Sequence, residues 1–239
     1  MKILDLTFNT PEENLACDEA LLEAAEENTS GEVLRFWSPQ NRFVVLGYSN
    51  KIAEDVHVDA CHSHQVPILR RISGGGTVLQ GPGCLNYSLI LEINQHPELA
   101  SITSTNRWIM DKQCQALQSL AGTAVKVRGI TDLALGELKF SGNAQRRKRH
   151  FVLFHGTFLL NFDLSQIEKF LKLPPKQPDY RQNRPHLDFV KNLNIASDKI
   201  QKALVKTWQA SGGHNFTFSE KMKNLIEGSY SKKEWNFKF

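Results

Sequence analysis

The sequence predicts one α+β domain, and three observations carry that prediction. Strand-like apolar runs and capped helical segments succeed one another along all 239 residues, with no linker, repeat or low-complexity tract between them. Residues 125–163, VKVRGITDLALGELKFSGNAQRRKRHFVLFHGTFLLNFD, read as a strand, a tight turn, a strand, a loop and a longer strand, which is an antiparallel meander. Residues 70–88, RRISGGGTVLQGPGCLNYS, place three consecutive glycines between two apolar runs, so a loop bare of side chains has a rigid base. At 41% hydrophobic residues the chain can bury a substantial core.

Each element has a local reason. Thr10-Pro11-Glu12-Glu13 combines an N-cap threonine, a proline at the first helical position and a glutamate three residues on. It starts a helix to about Asn28, with Leu15, Leu22 and Ala25 on the buried side. Val33–Trp37 and Phe43–Leu46 flank Ser38-Pro39-Gln40-Asn41, a turn composition that predicts a hairpin ended by Gly47-Tyr48-Ser49. Residues 54–63 predict a short helix. Val66, Ile68 and Leu69 lead into the glycine loop; Leu85, Tyr87, Leu89 and Leu91 lead out with period-two alternation. Met110, Cys114, Leu117 and Ala121 recur at helical spacing and predict a helix over 106–120.

Further on, Ser165-Gln166-Ile167-Glu168 has the form of a capping box, opening a short helix that Pro174-Pro175 stops. Residues 176–186, rich in Pro, Arg and Asn, predict a long surface loop. Ser197 caps a helix with Ile200, Leu204 and Trp208 facing inward, and Gly212-Gly213 makes a turn. A strand over 215–218, a helix over 219–227 and a final run over 235–239 complete the chain.

Composition narrows the function. Four scattered cysteines without a C-x-x-C pair predict reduced thiols, and Cys61-His62-Ser63-His64 lacks the second cluster that a zinc site needs. No apolar stretch approaches a membrane span, and the N-terminus turns acidic where a signal peptide needs its apolar core, so a cytoplasmic, soluble protein is expected. The net charge of +4 is uneven, with acids in the first thirty positions and a basic run, Arg146-Arg147-Lys148-Arg149. The aromatics sit in apolar runs and no nucleic-acid motif accompanies the charge, so the run predicts a solvated hairpin loop facing an anionic substrate or an acidic protein.

The candidate chemistry lies in the two long stretches. Three glycines let backbone N–H groups approach a phosphate or carboxylate. Arg70 and Arg71 alternate across a strand, which would aim one at the ligand and the other at solvent. Lys139 is a charge among strand-like apolar positions, either solvent-facing or functional; Asp132 and His155 also interrupt apolar runs, a pattern shared by hydrogen-bonded structural residues.

In combination, RRISGGGTVL at 70–79, Asn86-Tyr87-Ser88, LKFSGNAQ at 138–145 and FHGTFLLNFDL at 154–164 give a sequence that resembles the lipoate-protein ligase A family of the biotin/lipoate A/B protein ligase superfamily. The resemblance covers about the first 170 residues. It implies a central mixed or antiparallel sheet flanked by helices, like the catalytic domains of class II aminoacyl-tRNA synthetases and biotin ligases, as a single catalytic domain over 1–239. By resemblance Lys139 is catalytic. It would contact the lipoate carboxylate and the α-phosphate of ATP, and act again as an acceptor lysine attacks the acyl adenylate. Arg71, Gly76, Thr77, Val78 and Leu79 match nucleotide-contacting positions, and Gly74 and Gly75 would shape the loop. Asp132 is the candidate helper for Mg²⁺, with Asn143, His155 and Cys84 as further site candidates. The implied substrates are ATP and lipoic acid or octanoate. The implied acceptors are apo lipoyl domains of 2-oxoacid dehydrogenases or the glycine cleavage H protein.

The superfamily also implies alternatives. Octanoyltransferases pass an acyl group through a cysteine thioester without ATP; here one of their cysteine positions is Val152, residues 125–138 contain no cysteine, and Cys84 is left as a relocated nucleophile. A non-catalytic lipoate-binding subunit and a biotin ligase are the other readings. Two departures stand out. Gln80-Gly81 replaces the family's His-Asp after the glycines, and 239 residues leave no room for the additional C-terminal domain of the bacterial ligases. The latter implies a separate accessory protein, transfer from preformed lipoyl adenylate, or independence.

Overall fold

Strand β6 (Cys84–Glu92) is apolar at most positions and buried over residues 84–91, because it has a strand on each side and helices over each face. The computed structural model describes residues 1–217 and 219–239. Around β6, the strands β1 (Lys2–Asp5), β2 (Val33–Trp37), β7 (Val125–Arg128), β8 (Asp132–Leu135), β9 (Leu138–Arg147) and β10 (Phe151–Leu159) form a seven-stranded sheet in the order β1-β2-β6-β10-β9-β8-β7. Only the β1/β2 pair is parallel. The meander is therefore present, extended by β7. Strands β3 (Phe43–Leu46), β4 (Ile68–Arg70) and β5 (Val78–Gln80) make a second sheet in the order β4-β3-β5, and the glycine loop connects β4 to β5.

Helix α1 (Pro11–Glu26) begins with the expected capping box, and its buried residues pack against one face of the large sheet. Helix α4 (Ile102–Ala121) packs on the other face with α7 (Ser197–Thr207). Helix α4 is longer than its periodicity suggested because Ser101 and Ser104 cap it reciprocally. Two short helices, α2 (Ile52–Asp55) and α3 (Val58–Ser63), replace the single one expected over 54–63. α3 and α5 (Ser165–Phe170) cover the small sheet, and α6 (His186–Phe189) follows the 171–185 segment. The chain closes with α8 (Ser219–Leu225), a π-helical turn over Ile226–Tyr230 and α9 (Lys233–Asn236).

Other local expectations fail. β2 and β3 form no hairpin: β2 pairs with β6 and β1, while β3 enters the small sheet. Neither Ser165 nor Ser197 caps a helix; each is the first helical residue, and Asp163 accepts the Ser165 hydroxyl instead. Residues 215–217 form no strand, and Phe218 lies outside the described residues. Nor is the basic run a free loop. Arg146 and Arg147 belong to β9, Arg147 donates to Thr105 and to the Leu99 carbonyl, and Lys148 pairs with Glu23 at 3.3 Å.

Candidate active site

A cavity of about 920 Å³ opens where the glycine loop, the β6/β10/β9 strands, the β7–β8 turn and the 171–185 segment converge. Leu15, Trp37 and Val45 form part of an apolar wall, while Lys139, Asp132, Lys176 and Asp179 line a polar part. Residues 176–181, expected as surface loop, are thus a wall of the cavity.

The glycine loop is held from within. Arg71 is buried and donates to the carbonyls of Gly74 (2.6 Å), Gly76 (2.8 Å) and Val45, and to Ser73 Oγ. Burial pulls its guanidinium down to about 10, so it keeps its charge at neutral pH. Among the described residues, no acceptor takes the backbone N–H groups of Gly74, Gly75 or Gly76. Gly75 sits at φ +85°, a conformation that side chains oppose. Gly75, Gly76, Thr77, Val78 and Leu79 all line the cavity, whereas Gly74 does not. Arg70 also departs from expectation: it is fully buried, so neither arginine faces solvent.

Strand register explains the His-Gly-Thr motif. On β10, His155, Gly156 and Thr157 lie opposite Ser88, Tyr87 and Asn86 of β6. His155 Nε2 is hydrogen-bonded to Ser73 Oγ at 2.6 Å, and its Nδ1 lies 3.4 Å from Asp18 Oδ2. Asp18 in turn accepts from Ser88 and pairs with the buried Arg35 at 2.5 Å. Burial would raise the Asp18 carboxyl, but Arg35, His155 and Ser88 together hold it below its ordinary range. Thr157 donates to Asn86, Asn86 to Gln80 at 3.1 Å, and Gln80 back to Thr157 at 2.6 Å, closing a three-membered ring. Gln80 is therefore part of a neutral, satisfied network.

Gly156 leaves room for the third contact, Tyr87 donating to Asn143 Oδ1 at 2.7 Å. A Cβ at Gly156 would overlap that oxygen and stand 2.6 Å from Asn143 Cγ and 2.9 Å from the Tyr87 ring. Gly156→Ala is accordingly expected to destabilise the protein by about 1–3 kcal/mol, seen as a lower urea midpoint; an unchanged midpoint would contradict the packing.

Lys139 reaches the cavity through an irregularity in β9. Leu133 pairs with Ser141 and Ala134 with Lys139, leaving Phe140 as an extra residue, and the lysine side chain then lies along Gly142. Its Nζ is 2.8 Å from Asp132 Oδ1, and Tyr180 donates to Asp132 Oδ2 at 2.8 Å. Burial, then the Asp132 charge, raise the Tyr180 phenol far above its ordinary value, so it acts as a donor. Asp132, Lys139, Asn143 and His155 thus share one cavity.

Cys84 does not belong to it. The thiol is buried outside the lining residues, and burial pushes it up to about 12. Among the described residues, no cysteine lines the cavity.

Motif reading missed Asp18, Arg35, Asp55 and Tyr180. Asp18 had a signal, since it stands between Leu15 and Leu22 on the helix stripe. Asp55 accepts from Asn50 and from Thr77 of the glycine loop, and nothing in its local sequence marks it.

Known proteins resemble this chain in sequence and in fold. A family model described as the lipoyl protein ligase A/B catalytic domain matches residues 10–208. Lipoate–protein ligase 1 of Staphylococcus aureus is 32% identical over 204 residues, covering 82% of this chain; the chain spans 59% of that relative's length. Octanoyltransferase LipM of Carboxydothermus hydrogenoformans is 25% identical, with 95% of this chain and 94% of the relative covered. A crystal structure of lipoate-protein ligase A bound with ATP superposes with a TM-score of 0.80 at 25% identity, covering 99% and 98% of the two chains. A bi-partite lipoate protein ligase from Thermoplasma acidophilum, studied with its E2 lipoyl domain, has the same fold, with a TM-score of 0.80 at 24% identity and 99% and 95% coverage. With the family model spanning most of its length, this chain belongs to the lipoyl protein ligase A/B catalytic-domain family.

Proposed function

We propose that this protein is an ATP-dependent lipoate-protein ligase, which activates lipoate or octanoate as the acyl adenylate and transfers it to a lysine of a lipoyl domain or of the glycine cleavage H protein. The observation that carries this reading is the pairing of an ammonium, Lys139, with a glycine loop in which the N–H groups of residues 74–76 have no acceptor among the described residues, in a cavity that none of the described thiols lines. The lysine opposes charge on the α-phosphate as the acyl carboxylate attacks it and pyrophosphate leaves. It then opposes charge on the carbonyl as the acceptor amine attacks and AMP leaves. Arg71 shapes the loop through its carbonyls, and residues 75–79 supply the surface against the nucleotide.

Among the described residues no group of three or more His, Cys, Asp or Glu stands ready to hold a metal. Mg²⁺ would arrive on the nucleotide phosphates, with Asp132 as the nearest acid to Lys139. Residues 1–239 serve in this reading as one catalytic domain. No helix among the described residues is long and apolar enough to cross a membrane.

The test is incubation with an apo lipoyl domain and lipoic acid, with and without Mg-ATP, reading the acceptor's mass. An ATP-dependent gain of one lipoyl group supports the proposal; gain only from an octanoyl carrier protein, without ATP, would select the transferase. Cys84→Ser should leave ligation within about twofold of wild type, because a protonated thiol outside the cavity cannot serve as nucleophile. Loss of activity in that variant would revive the thioester route.

A further inference from the structure

Residues 230–239 lie beyond the stretch that the family model matches, yet they dock on Arg70, the last residue of β4 before the glycine loop. Arg70 is the junction. Its side chain donates to the carbonyls of Gly47 (2.9 Å), Tyr48 (3.1 Å) and Asn50 (2.8 Å) on one side, and to those of Trp235 (3.2 Å) and Asn236 (3.1 Å) on the other. The backbone repeats the link: Arg70 N–H donates to Asn236 Oδ1 at 2.9 Å, and Trp235 Nε1 donates to the Arg70 carbonyl at 2.8 Å. Asn236 Nδ2 closes the segment on itself by donating to the Tyr230 carbonyl, and Tyr230 is anchored to Glu19 of α1 at 2.6 Å.

The turn that Arg70 gathers is in contact with the glycine loop. Tyr48 N–H donates to the Ser73 carbonyl at 2.8 Å, and a Cβ at Gly47 would collide with the Gly75 carbonyl. Asn50 and Thr77 donate to the same Asp55 oxygen, so the far end of the loop is tied to the same turn. A buried guanidinium with this many carbonyl partners fixes all of them at once, and removing one partner leaves a buried donor unmet.

We infer that residues 230–239 act as a positioning strap that sets the conformation of the glycine loop through Arg70 and the 47–50 turn. Trp235 and Asn236 are its positioning residues. They do not line the cavity and act through Arg70. The consequence for turnover rests on the ligase reading above, whereas the consequence for loop order does not.

The experiment therefore has two arms, applied to Asn236→Ala and to the milder Trp235→Phe, which keeps a ring and removes the donor. In the ligand-free protein, amide hydrogen exchange at Tyr48, whose N–H is held by the Ser73 carbonyl of the loop, should quicken by about tenfold in Asn236→Ala, and less in Trp235→Phe, while β6 and β10 stay protected. In the ligation assay, KM for ATP should rise about tenfold with KM for lipoate changed less than about twofold. Unchanged exchange in a folded variant, or equal rises in both KM values, would overturn the strap. If wild type shows no ATP-dependent ligation, the ligase reading fails and the exchange arm alone decides.

Discussion

Lys139→Ala should lower kcat/KM for ATP-dependent lipoylation by roughly 10³-fold, the scale seen when one preorganised charge-stabilising donor is removed from an active site. The reason is geometric. Within the polar part of the cavity, Lys139 is held by a single carboxylate oxygen at 2.8 Å, so its remaining donors can be given to a ligand. Lys139→Arg should rescue poorly, because a guanidinium is a longer planar fork and the lysine here lies close against Gly142. Both variants should melt close to wild type, since the side chain is partly exposed and its loss leaves Asp132 bonded to Tyr180. Mass spectrometry of the acceptor and thermal unfolding together check the prediction. A Lys139→Ala protein that ligates at more than about a tenth of the wild-type rate would remove the lysine from the mechanism.

Asp18→Asn should have the largest effect on stability. It strips the counter-charge from a fully buried arginine, and breaking a buried pair from one side typically costs about 3–5 kcal/mol. The same residue predicts an acid response. Its carboxyl in the folded protein lies below the ordinary value of 3.8, so its contribution is complete above that value and disappears as pH falls through the lower, folded one. Chemical denaturation of the wild type between about pH 2 and pH 4 should accordingly show stability rising with pH, and Asp18→Asn should show a shallower rise. Equal slopes in the two proteins would mean that the pair does not govern acid unfolding.

The parts of the site that could be read from sequence are those carried by contiguous residues. The triple glycine, Lys139 with Gly142 and Asn143, and His155-Gly156-Thr157 each belong to one short stretch whose composition is odd for packing alone. The parts that could not be read are set by pairing across the chain. Ser38-Pro39-Gln40-Asn41 has every local mark of a hairpin, yet β2 gains more from the buried β6 edge about fifty residues later than from its neighbour. Alternation across β4 suggested that one arginine faces solvent; residues 235 and 236 arrive from the other end of the sequence to bury Arg70. Tyr180 looked like loop because the acid it grips lies 48 residues away.

The ring of Gln80, Thr157 and Asn86 has a direction of circulation, since each member gives one hydrogen bond and takes one. None of the three can gain or lose a proton between about pH 5 and pH 8, the interval over which an imidazole switches its charge. That edge of the cavity consequently presents a constant field to a bound anion throughout the physiological range. An imidazole in place of Gln80 would make the same edge a titrating one.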